Sequence, residues 1–183
     1  LVVPFIQPGA RLMILSDGAD TPAQVAQILT ERGYGDSRLA VLEHMGGPQE
    51  RGVEGTAASW NHGNIAAFNT LAVECVAGPD AVILPRVPGL PDDAFTSDGN
   101  ITKREVRAAT LAALAPLPGR HLWDVGAGCG SVAIEWMRSH PSCRATAVES
   151  RADRIGLIAR NAIALGVPRL GMIEGEATSV LTG

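Results

Sequence analysis

Three glycines in five residues, Gly126-Ala-Gly-Cys-Gly130, stand between an apolar stretch, His121-Leu-Trp-Asp-Val125, and a segment from Ser131 to about Arg138 that reads as a helix. A glycine run at a strand-to-helix junction lets backbone approach a ligand closely and directs free N–H groups at it, because no Cβ stands in the way. Few folds place such a run there; most are parallel α/β sheets. The spacing here is Gly-x-Gly-x-Gly. A dinucleotide loop wants Gly-x-Gly-x-x-Gly, and Ser131 occupies its last position.

The segments around the loop support that architecture. Ala145-Thr-Ala-Val-Glu149 reads as a strand, Ala152 to Leu165 as a helix stopped by Gly166, and Arg169-Leu-Gly-Met-Ile-Glu174 as a further strand. Upstream, Thr102 and Glu105 have the spacing of a capping box for a helix to about Ala115, with Val106, Ala109, Leu111 and Leu114 as its apolar candidates and Pro116 ending it. Strand, helix, strand, helix, strand predicts a Rossmann-like, doubly wound parallel sheet.

The first half is predicted to be mixed α/β. Strands are expected at Ala10–Leu15, Arg38–Glu43 and Thr70–Val76. A helix should start with Thr21 as N-cap and Pro22 as its first residue, and end at Gly33 in a left-handed stop. Gln49 to Asn69 is polar with no firm period. Pro85-Arg-Val-Pro-Gly-Leu-Pro91 cannot continue a helix or a central strand, so it is read as a linker between domains 1–86 and 87–183. The chain opens without Met and stops just after a strand-like segment, so both domains are expected to be partial, the second at its C-terminus.

Charge and composition exclude several roles. A formal charge of −4 argues against an electrostatic grip on nucleic acid or anionic membrane. No apolar stretch approaches the roughly 20 residues of a membrane span, and no basic region marks a signal peptide. Cys75, Cys129 and Cys143 lack metal-ligand spacing, and their odd number argues against a disulfide framework. No protein-bound metal is expected, and a reducing cytoplasm is the expected compartment.

The loop gains meaning from Glu149. It ends the next strand, 23 residues past Gly126, where a carboxylate can accept hydrogen bonds from both ribose hydroxyls of a nucleoside. Gly175-Glu-Ala177 follows the last strand, where an adenine ring would rest. Asp124, two places before the first glycine, favours a methyl donor over a nicotinamide. Thr102-Lys-Arg-Glu-Val-Arg107 has two readings: a solvated helix start, or a segment with Thr102 on the methionine end of the donor and basic side chains near an anionic substrate.

Pro91-Asp-Asp-Ala-Phe95, Thr102-Lys-Arg-Glu-Val-Arg107 and Asp124-Val-Gly-Ala-Gly-Cys-Gly130 together resemble the decarboxylating precorrin methyltransferases of cobalamin biosynthesis. Ser16-Asp-Gly18, Thr21-Pro-Ala23, Leu29-Thr-Glu-Arg-Gly33, Val41-Leu-Glu43 and Gly46-Gly-Pro-Gln-Glu50 are similar to the tail of the tetrapyrrole methylase domain fused ahead of them in bifunctional, precorrin-6Y C5,15-type members. The resemblance implies an S-adenosylmethionine-dependent, homo-oligomeric class I methyltransferase that methylates precorrin-6B at carbons 5 and 15 and decarboxylates the ring C acetate. The second half would serve carbon 15 and the decarboxylation. It implies donor contacts at Thr102, Gly126, Ala127, Gly128, Cys129, Gly130, Glu149 and Ala177, and makes Lys103, Arg104 and Arg107 candidate anchors for the substrate carboxylates. No catalytic acid is assigned. Two other classes share the loop: a nicotinamide-dependent reductase, and a non-catalytic assembly module.

Overall fold

A computed structural model describes residues 2–182 of the chain, which form two compact units divided at Leu84 and Pro85.

The unit Val2–Leu84 is an antiparallel sheet with one helix on it. Its elements are β1 (Arg11–Leu15), α1 (Thr21–Glu31), β2 (Arg38–Glu43), β3 (Arg51–Thr56) and β4 (Asn69–Glu74), with strand order β1-β4-β2-β3. Alternation in β2 and β4 sends Leu39, Val41, Leu71 and Val73 to one face, where Val25, Ala26 and Leu29 of α1 close the core. Each fully buried leucine there contributes about 1.5–3 kcal/mol. Asp20, rather than Thr21, is the N-cap residue, and Pro22 sits one position further into the helix than expected. Gly33 does end the turn in the left-handed region (φ 78°). An added Cβ there would lie 2.7 Å from the Ala81 Cα, so the position excludes side chains on two counts.

The stretch from Gln49 to Asn69, polar and without a firm period, supplies β3. Its partner β2 pairs with it from Arg38↔Thr56 to Glu43↔Arg51. As an edge strand with no buried residue, β3 has no apolar alternation to betray it. Arg51 nevertheless reaches a buried partner. Its guanidinium donates to both carboxylate oxygens of Glu43 (2.6 and 3.0 Å), and the Ala66 N–H adds a third bond at 2.7 Å. Above all, the Arg51 bond holds the Glu43 carboxyl below the ordinary glutamate range. A depressed acid stabilises the fold above its unfolded value and loses that contribution as pH falls through the folded one. The unfolding midpoint of an Arg51→Met protein should therefore fall below that of the native protein at neutral pH, and the gap should close in acid. A gap that does not change with pH would sink this account.

The unit from Pro85 contains α2 (Arg104–Leu114), β5 (His121–Val125), α3 (Ser131–Ser139), β6 (Arg144–Glu149), α4 (Ala152–Ala164), β7 (Gly171–Glu174) and α5 (Ala177–Thr182). The expected parallel sheet is present, in the order β5-β6-β7, with registers such as Asp124↔Ala147 and Glu149↔Glu174. Ala145, Ala147 and Val148 of central β6 are buried with Ala133 and Ile134 of α3 and Ile158 of α4. The loops after β5, β6 and β7 thus share the carboxyl end of the sheet, where parallel α/β folds bind ligands.

Two expectations fail here. α2 starts at Arg104 with Lys103 at the cap and no side-chain cap bond, so Thr102 and Glu105 form no capping box. Its buried residues are Arg107 and Leu111, while Val106 and Leu114 are exposed. The division between the two units falls at the start of the proline-rich stretch, and side chains hold that stretch in place. The N–H groups of Gly89 and Leu90 donate to Glu135, and Arg138 donates to the Pro85 carbonyl.

Candidate functional site

All three glycines of the run have positive φ: 76° at Gly126, 60° at Gly128 and 80° at Gly130. Only glycine takes that conformation without cost. Gly130 is also the N-cap of α3, and an added Cβ there would come within 3.0 Å of Ile158 Cγ2. Asp124 completes this junction. Its carboxylate accepts the Ala133 N–H at 3.1 Å in the first turn of α3, a favourable place for negative charge. Burial pushes the Asp124 carboxyl up from its ordinary value, and the Ala133 bond offsets this in part.

The loop does not display an array of free N–H groups. Gly126 and Ala127 both donate to the Val148 carbonyl (2.8 and 3.1 Å), and Gly130 donates to Ala127 O (2.8 Å). Gly128 donates to Glu149 Oε2 at 2.9 Å, and Arg151 N–H donates to Oε1 at 3.1 Å. What the loop offers a ligand is bare backbone surface. Glu149, 4 % exposed, is held by two backbone bonds at the end of β6. A carboxylate held in this way keeps lone pairs with which it can accept further hydrogen bonds.

A cleft of about 370 Å³ opens over the loop, walled by Gly126 to Cys129, Ser131, Arg154 and the segment Gly99–Thr102. It therefore brings Thr102, exposed on its rim, together with the glycines. Glu149 lies beneath, bonded to Gly128. Ala177 stands at the start of α5, and the preceding Gly175 N–H donates to Glu149 O at 3.0 Å, tying that turn to the same strand end.

The basic residues behave differently from one another. Lys103 is largely exposed, with its Nζ 3.8 Å from Asp92, and Arg104 is exposed at the first position of α2. Arg107 is fully buried and has no surface with which to meet a substrate. Its Nε donates to Glu135 Oε1 at 2.5 Å, its Nη1 to Asp92 Oδ1 at 3.1 Å and to the Thr102 carbonyl, and its Nη2 to the Leu90 carbonyl. The guanidinium also lies 4.8 Å from the Phe95 ring centroid. Its expected role as a substrate anchor gives way to that of a hub beneath Thr102.

Sequence reading also passed over Asn161. Leu157, Asn161 and Leu165 recur every four residues and all three are buried, so an amide sits inside an apolar stripe. That is a readable signal, because a buried amide demands partners. Asp98 was likewise missed. Arg154 Nε donates to its Oδ2 at 2.9 Å, with Nη2 also 2.9 Å from that oxygen, and chiefly the Arg154 bond holds its carboxyl below the usual range.

Residues 93–183 match the family described as the precorrin methyltransferase domain. Over its whole length the chain is 45% identical to a precorrin-6Y C(5,15)-methyltransferase [decarboxylating] from a Sinorhizobium species, of which it spans 44%. A cobalt-precorrin-6B C(15)-methyltransferase (decarboxylating) of Salmonella typhimurium is 35% identical over 96 residues, 51% of this chain and 50% of that protein. The crystal structure of the C-terminal domain of precorrin-6Y C5,15-methyltransferase from Rhodobacter capsulatus superposes with a TM-score of 0.51 at 47% identity, over 54% of this chain and 53% of that one. The chain thus spans about half or less of each of these proteins. No helix among the described residues is long and apolar enough to cross a membrane.

Proposed function

Because the chain belongs to the family of decarboxylating precorrin-6Y C5,15-methyltransferases, we propose that it takes part in S-adenosylmethionine-dependent methylation of precorrin-6B at carbons 5 and 15, with loss of the ring C acetate carboxyl. The unit from Pro85 would serve carbon 15 and the decarboxylation, and the unit before it would be the tail of a tetrapyrrole methylase domain. The observation that carries the reading is the glycine cradle set against the Glu149 carboxylate at the carboxyl end of a parallel sheet.

When bound, S-adenosylmethionine supplies a methyl group on a sulfonium, already a good leaving group. The residues then need only position. Gly126 to Gly130 would take the donor against bare backbone, Glu149 would accept from its ribose hydroxyls, Ala177 would face the adenine, and Thr102 the methionine end. Fixing two reactants in line can contribute about 7–11 kcal/mol to a bimolecular step. Lys103 and Arg104, exposed beside the cleft, would meet substrate carboxylates. No residue is assigned a proton-transfer role, and no protein-bound metal is part of the proposal. The protein is proposed to act in the cytoplasm as a homo-oligomer.

Incubation of the intact protein with precorrin-6B and methyl-labelled donor tests this. Label at carbons 5 and 15 with release of carbon dioxide is expected. Label at other positions sinks the substrate assignment. Tight binding of NADH with none of S-adenosylhomocysteine would favour a nicotinamide-dependent reductase instead.

A further inference from the structure

One wall of the cleft, Gly99–Thr102, belongs to a strap of irregular chain, residues 96–102, with no helix or strand of its own to hold it. Its position is set by side chains at three points. At its start, Asn161 makes a two-bond clamp on the Thr96 peptide groups: Oδ1 accepts the Thr96 N–H at 2.8 Å, and Nδ2 donates to the Thr96 carbonyl at 2.9 Å. At its middle, Arg154 holds Asp98, and Asp98 Oδ1 accepts the Asn100 N–H at 3.1 Å. At its end, Arg107 holds the Thr102 carbonyl.

Asn161 does one thing more. The second hydrogen of its amide goes to the Cys129 carbonyl at 3.0 Å, inside the glycine run. One buried side chain, 2 % exposed, therefore joins the start of the strap to the glycine loop, with every polar bond it can donate in use. A residue that links strap to loop, and uses all its donors to do so, fixes the width between them.

We propose that Asn161 is a positioning residue that sets the spacing between the strap 96–102 and the glycine loop, and so sets donor affinity, with the Asp98–Arg154 pair holding the same strap from outside. This rests on the donor site proposed above. Asn161 and Asp98 act through the strap and need touch no reacting atom, so their loss should weaken donor binding more than turnover.

The test is calorimetric binding of S-adenosylhomocysteine to the intact protein, with hydrogen exchange read across the strap and with kcat and donor KM. For Asn161→Ala, the donor Kd and KM should rise at least tenfold while kcat at saturating donor stays within about threefold. Ligand should no longer slow exchange at residues 97–102, although it still slows exchange in the glycine loop. Asp98→Asn lies at the surface and leaves the core untouched, so it decides the matter if Asn161→Ala does not fold. Its Kd should rise several-fold, with faster exchange in the strap. Native protein that binds while either folded variant binds equally well overturns this proposal alone. Native protein that fails to bind S-adenosylhomocysteine overturns the donor site and this inference together.

Discussion

A Glu135→Leu protein should lose about 3–5 kcal/mol of stability in urea unfolding. That is the range for removing one partner of a buried ion pair, because the other charge is left uncompensated. Here the stranded charge is Arg107, which keeps only the Asp92 oxygen, two carbonyls and the Phe95 ring. The same substitution also strips the Gly89 and Leu90 N–H groups of their acceptor, and each orphaned buried donor costs about 1–3 kcal/mol. The double variant Arg107→Met, Glu135→Leu should lose much less than the sum of the two single variants, since it removes both charges together. A single-variant loss below about 1 kcal/mol, or strict additivity in the cycle, would show that water shares this site and that the pair is not the hub described.

The second large effect concerns binding, and two neighbouring glycines separate it from folding. A Cβ on Gly128 would find nothing nearer than the Asn100 carbonyl at 3.9 Å, so Gly128→Val disturbs the fold mainly through its positive φ, about 1–2 kcal/mol. Its branches would project into the space between the loop and the strap, where the donor is proposed to lie. Affinity for S-adenosylhomocysteine should fall at least 100-fold, to be measured by calorimetry on protein shown to be folded. Gly130→Ala should show the opposite balance. Its Cβ drives into Ile158 at 3.0 Å, so the junction of α3 with α4 should suffer first, at about 1–3 kcal/mol in unfolding experiments, with a smaller change in affinity. If Gly128→Val binds normally, the cleft is not where the donor sits.

Much of the second unit was readable because its signals are local. β5 spans His121–Val125 as expected, the three glycines of the loop that follows are all left-handed, and Glu149 closes β6. Each depends on period and chain order, which a sequence displays. Arg107 was misread for the converse reason. A cation near a helix start is usually solvated, and only the fold brings Glu135, 28 residues away, against it. The same logic misplaced the face of α2: Val106 and Leu114 look like core residues by type, but the burial of Arg107 turns the helix so that Leu111 faces inward. β3 was missed because an edge strand needs backbone partners rather than apolar side chains, and those partners belong to β2. Asn161 was the one error the sequence itself could have corrected.

Cys129 is one of the few nucleophiles at the cleft and sits in the loop proposed to cradle an electrophile. Its thiol is 2 % exposed, and burial pushes its pKa up from the ordinary cysteine value. The thiolate is the form that attacks carbon. Keeping the proton on sulfur therefore makes Cys129 a weaker nucleophile toward the alkylating agent proposed to lie there, and favours transfer of the methyl group to an acceptor brought from outside.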